Sequence, residues 1–245
     1  MRNIDQVIEA LDEIVDRARR EGSRLGYFAA LYRNVTIEVR RGIAQGRFED
    51  GPRMERFDVL FAGRYLEALE SYQRGERTSR CWVACFQCCP QWPPIVLQHL
   101  LLGMNAHINF DLAIAAETTA PGTELTGLRR DFDEINNILS AMIAGVQYRL
   151  SQIWPWMWLL DHIGGRTQDA ILNFSLEQAL RAAWSAAERL ASASEGRDAA
   201  LHEMDRIAER IAQLIRHPPA VVRLANLWIR LGEMRNVRKI IDCLA

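Results

Sequence analysis

The stretch Ile95-Val-Leu-Gln-His-Leu-Leu-Leu-Gly-Met-Asn-Ala-His-Ile-Asn-Phe-Asp-Leu-Ala-Ile-Ala-Ala116 decides the fold. A helix that is apolar on nearly every side belongs in the core of a protein or in a membrane. Gln98, His99, Asn105, His107, Asn109 and Asp111 interrupt this one, and so many polar groups would be costly in lipid. The stretch therefore reads as a buried central helix and not as a membrane span. At about 100° per residue its polar residues form two opposed stripes. With His107 at zero, Gly103 and Asp111 lie about 40° to either side and His99 about 80° away, while Gln98, Asn105 and Asn109 cluster opposite.

Amphipathic helices surround this element along the chain. Ile4, Val7, Ile8, Leu11, Ile14, Val15 and Ala18 recur at helical spacing up to Gly22. Leu25 to Ala44 stops at Gly46, Arg53 to Tyr72 stops at Gly75, and Ser79 to Cys89 is closed by Pro90. Beyond Pro121 and Gly122, helices are expected over Leu125 to Ile153, Thr167 to about Ser194 and Arg197 to Arg216, with a final pair split at Gly232. Trp154, Trp156 and Trp158, interrupted by Pro155, read as an aromatic crossing packed on the core, with a pocket lid, partner surface or shallow membrane anchor as alternatives. No strand pair or internal repeat is visible. The expectation is an all-α, bundle-like single domain over residues 1–245, with about nine helices around the 95–116 helix.

Composition narrows the function classes. The chain is 49% apolar and 25% charged with a formal net charge of −1, which argues against a nucleic-acid binder. No basic-then-apolar leader opens it, so the cytoplasm is the expected compartment. Walker, nucleophile-elbow, dinucleotide and H-E-x-x-H motifs are absent. Cys81, Cys85, Cys88 and Cys89 match in part the spacing that radical S-adenosylmethionine enzymes use for a cluster, but they sit on one helical face, where free cysteine packs as a small apolar group.

The chemistry concentrates on carboxylates and histidines at positions where the pattern calls for apolar residues. Asp58 falls among Met54, Phe57, Phe61, Tyr65 and Leu69, and Asp131 lies at the edge of the face formed by Leu128, Ile135, Leu139 and Met142. Asp58, Asp111 and Asp131 are thus expected to point inward from three helices, with His99 and His107 between them and Gly103 leaving space beside them. Carboxylates so placed need compensation, and a divalent metal, zinc among the options, is a simple common partner. His107 and Asp111, at i and i+4, are the expected metal ligands. Asp58, Asp131 and His99 would complete the set or act as acid–base groups. Arg64, on the rim of its helix, is the competing partner through a salt bridge. His162 is a further ligand option, whereas His202 and His217 read as exposed. Gln98, Asn105 and Asn109 read as structural hydrogen-bonders.

Leu97 to Leu112, together with Gly26-Tyr-Phe, Arg47-Phe-Glu-Asp50, Phe61 to Tyr65 and Asp131 to Asn136, resembles an uncharacterised bacterial family, domain of unknown function 5995. That resemblance implies a helical protein and no established activity. His107 and Asp111 also resemble the H-x3-D element of the zinc-dependent phospholipase C and single-strand nuclease group. The ligating N-terminal tryptophan and the further histidines of that group have no counterpart in Met1-Arg2-Asn3 and a total of five histidines. Two functional expectations result: a metal-dependent enzyme, a hydrolase, acting on a small or lipid-like molecule, or a non-catalytic binding or scaffold module whose buried polar residues form a structural network.

Overall fold

Most helix boundaries in the first half of the chain have an identifiable cause. In the computed structural model, which describes residues 1–154, 167–192 and 196–245 with side chains in the second span from Leu176 on, Asn3 accepts a bond from the Gln6 amide and opens α1 (Ile4–Glu21). Gly22 closes it at φ +66°, with the Ser23 amide reaching back to the Ala18 carbonyl. The chain turns at once into α2 (Leu25–Ala44). There Gly26 permits contact with α1, because a Cβ at this position would lie 2.7 Å from that of Ala18. Asp50 caps α3 (Gly51–Gln73), with Pro52 in its first turn. Asp205 caps α4 (Arg80–Cys88) from a distant helix by accepting from the Arg80 and Cys81 amides.

The central helix is continuous but not uniform. It consists of α5 (Val96–Ala106), a π turn at His107–Asp111 and α6 (Leu112–Thr119). A 3-10 segment, Gly122–Leu128, leads into α7 (Arg129–Ile153), and α8 (Thr167–Ser192), α9 (Arg197–Arg216), α10 (Ala220–Gly232) and α11 (Val237–Leu244) follow. No strand occurs among the described residues, and the all-α expectation holds. The central helix lies within a ring formed by α2, α3, α4, α8 and α9. Its buried residues join those of the surrounding helices in one apolar cluster.

The Gln98, Asn105 and Asn109 stripe fixes the central helix against α9, as expected for buried amides. Gln98 donates to the Ile215 carbonyl at 2.6 Å, Asn105 to the Ala208 carbonyl at 2.8 Å and Asn109 to Asn105 at 2.9 Å. The four clustered cysteines are buried and free, and burial pushes the Cys89 thiol up to about 12. They pack as apolar side chains. Trp156, Trp158 and His162 lie outside the described residues.

Candidate functional site

Asp111 and His107 lie one turn apart, at i and i+4, across a π turn. Its defining bond runs from the Leu112 amide to the His107 carbonyl, and at about 4.4 residues per turn residue i+4 falls about 33° short of residue i, where a regular helix puts it about 40° beyond. His107 Nδ1 lies 3.2 Å from Asp111 Oδ2. That oxygen also accepts from Trp82 Nε1 at 2.8 Å, and Oδ1 accepts from Arg64 Nε at 3.3 Å. The rim arginine is therefore the charge partner of Asp111. A carboxylate only accepts, so Nδ1 carries the proton, and burial lowers the His107 pKa against the opposing pull of Asp111. The ring is then neutral, with a lone pair on Nε2. Phe61 stacks on it at 3.6 Å between centroids, Tyr32 meets it edge-on at 4.5 Å, and Nε2 has no hydrogen-bond partner.

The His107 ring lines a cavity of about 180 Å³. The walls are apolar side chains of α2, α3, the central helix, α7 and α8, including Phe57, Leu100, Met104, Leu139 and Leu180. Tyr32 and Asp58 line it too, and both the Tyr32 hydroxyl and Asp58 Oδ2 are buried without a partner. Burial first, and the Glu55 charge second, push the Asp58 carboxyl up to about 7. Burial raises the Tyr32 phenol well above its usual value, with Asp58 and Asp111 adding to the effect and the Thr36 hydroxyl opposing it. Three polar atoms from three helices thus lack partners along one apolar cavity, although buried polar atoms ordinarily find them. On its other side Asp111 forms part of the floor of an open cleft of about 510 Å³ that also takes in Arg64, Arg77 and His202.

The structure does not gather all five residues expected from the sequence. Asp58, His107 and Asp111 lie around the cavity and its wall. Asp131 sits elsewhere, in the first turn of α7, where it accepts from the Glu49 amide and from Arg53, both at 2.6 Å. It ties down the loop between α2 and α3, its charge neutralised by Arg53. His99 faces Tyr27 at 5.7 Å, and burial followed by the charges of Arg24 and Arg230 lowers its pKa to about 3. The Phe28 ring lies edge-on to His107 at 5.9 Å. The space expected beside Gly103 is filled by that ring, since a Cβ on Gly103 would lie 2.4 Å from it.

Among the described residues these donors are not assembled as a metal site. His107 and Asp111 point at each other, Trp82 and Arg64 donate to the same carboxylate, and the described residues hold no group of three or more His, Cys, Asp or Glu side chains able to hold an ion. Sequence reasoning overlooked Tyr32, Phe61 and Trp82. Only Tyr32 carried a signal, as a hydroxyl one turn beyond Phe28 on a buried face.

A family model described as a family of unknown function, DUF5995, matches residues 4–218. The chain belongs to this family. Every residue of the DUF5995 cavity and of the Asp111 cluster lies inside the matched span. No curated protein and no solved structure matches the chain. The likeness to the zinc-dependent phospholipase C group gains no support, because only its H-x3-D pair is present.

Proposed function

We propose that the protein binds a small, mostly apolar molecule bearing one hydrogen-bonding head, with the body in the cavity and the head among Tyr32, Asp58 and His107. The observation that carries this is the set of three unpartnered buried polar atoms on residues of a wall that, Gln147 aside, is otherwise apolar. A cavity of about 180 Å³ compares with the roughly 150 Å³ apolar cavity that takes benzene. The ligand is therefore short, roughly six to nine non-hydrogen atoms, and a full acyl chain is too long. A head that both donates and accepts, such as an alcohol, satisfies His107 Nε2 with its hydrogen and the Tyr32 hydroxyl with its oxygen. A carbonyl accepts from Tyr32 and from protonated Asp58.

The same groups support acid–base chemistry. His107 Nε2 takes a proton, Asp111 orients the ring, and Asp58 keeps a proton to give near neutral pH. No step requires a metal.

The test is calorimetric titration with heptan-2-ol, heptan-2-one and heptane. The two polar-headed probes bind about tenfold more tightly than heptane, as one or two hydrogen bonds of about 1 kcal/mol imply. Tyr32→Phe reduces that preference, and Leu139→Trp, which fills the cavity, abolishes binding of all three. Heptane binding as tightly as heptan-2-ol, or binding left intact by Leu139→Trp, refutes the reading.

A further inference from the structure

α10 is built inside out. At about 100° per residue, Val221, Leu224, Leu227, Trp228 and Leu231 share one broad face, Asn226 and Arg230 lie on the far side, and the exposed Arg223 sits at the edge next to Leu227. In an ordinary surface helix the apolar face turns to the core. Here Trp228 is 69% exposed, Leu224 59% and Val221 82%, whereas Arg230 is 4% exposed. Arg230 explains the orientation: it donates to the Trp92 carbonyl and to Glu233, both at 2.8 Å, and Glu233 in turn accepts from the Val96 amide at the start of the central helix. A buried ion pair thus fixes the helix with its apolar face to solvent. Leu214, at the end of α9, is 66% exposed.

Charge decides what covers this face. Residues 210–239 hold Arg210, Arg216, Arg223, Arg230, Arg235, Arg238 and Lys239, and their only acidic residue is the buried Glu233. A second copy of the chain would bring two such cationic stretches together, which like-charge repulsion opposes. An anionic lipid surface matches both features, because basic amphipathic helices with an exposed tryptophan lie in the plane of the headgroup boundary. We propose that α10 docks the protein on anionic membranes, with Leu224, Leu227, Trp228 and Leu231 entering the headgroup–acyl boundary and Arg223, Arg235 and Lys239 facing lipid phosphates. No helix among the described residues is long and apolar enough to cross a membrane, so the association is peripheral.

The experiment is co-sedimentation of the full chain with vesicles of phosphatidylcholine alone and of phosphatidylcholine mixed with phosphatidylglycerol. Binding to the mixed vesicles exceeds binding to phosphatidylcholine by about tenfold and falls with added salt. Leu224→Asp and Leu227→Asp, on exposed positions that leave thermal melting unchanged, each lower it by about tenfold or more. Absence of co-sedimentation, or binding that survives both substitutions, overturns the proposal. So does a dimer that Leu224→Asp dissociates in a chain that ignores vesicles, which would assign the face to a second copy.

Discussion

Asp58→Asn tests the unusual electrostatics of the cavity most directly. Asp58 is buried with one carboxyl oxygen unpartnered, and its carboxyl is pushed from 3.8 up to about 7. Between these values the unfolded chain has released the proton and the folded one still holds it, so the folded state binds more protons and stability falls as pH rises. The loss is absent below pH 3.8, grows through the window and is complete above about 7. About three units at 1.36 kcal/mol each give roughly 4 kcal/mol. Asparagine preserves the shape and cannot ionise, but its amide hydrogens also need partners, which offsets about 1–2 kcal/mol. The variant is therefore as stable as the parent, or slightly less so, near pH 4.5, and more stable by about 2–3 kcal/mol near pH 8. Urea denaturation at pH steps between these limits, with the slope of the transition checked for constancy, measures the difference. Parallel curves, with a difference constant to about 1 kcal/mol over the range, would refute the claim that Asp58 folds as a carboxylic acid.

Gly103→Ala places a methyl group 2.4 Å from the Phe28 ring. We expect a loss of about 1–3 kcal/mol in denaturant melts, although alanine is the better helix former by about 1 kcal/mol. Trp82→Phe removes the 2.8 Å bond to Asp111 and lowers stability by about 1–3 kcal/mol, as expected when a buried carboxylate loses a donor. A gain in the same melts would mean that Asp111 does not depend on Trp82. Untagged protein carries less than about a tenth of an equivalent of transition metal, and its melting is unchanged by chelator. Stoichiometric zinc by mass spectrometry would restore the metal-centred reading of His107 and Asp111.

The parts legible in the sequence were those that depend on one helix at a time. Burial of Ile95–Ala116 followed from its composition, and the two stripes followed from a constant angle per residue. The His107–Asp111 pair followed from its i, i+4 spacing. What escaped depended on atoms from other helices. Asp131 looked available until Arg53 and the Glu49 amide met it, and Gly103 looked like space until Phe28 filled it. The cavity is a place where side chains from five elements fall short of one another, and no residue pattern marks a shortfall. The π turn also lacked a signal. It keeps within reach a pair that the regular helical angle had already placed close together.

The family match ends at residue 218, two residues before α10 begins, and this separates the two proposed surfaces. The cavity, the Asp111 cluster and the central helix belong to the matched span, whereas the exposed apolar face of α10 does not. The last helix complicates their experimental separation, because Ile240, Ile241 and Leu244 of α11 are buried against α1, α2 and α7. The Leu244 carbonyl also accepts from Asn34 and Arg149, each at 2.8 Å. Cutting the chain after Pro218 would remove core as well as surface. A truncated chain that failed to bind both vesicles and heptan-2-ol would therefore say nothing about α10. Point substitutions on the solvent side of α10 touch no core residue, so Leu224→Asp abolishes vesicle binding and leaves heptan-2-ol binding unchanged. Leu139→Trp does the reverse. Loss of both activities in either variant would mean that cavity and surface are coupled through the Arg230–Glu233 pair, which is the link between α10 and the start of the central helix.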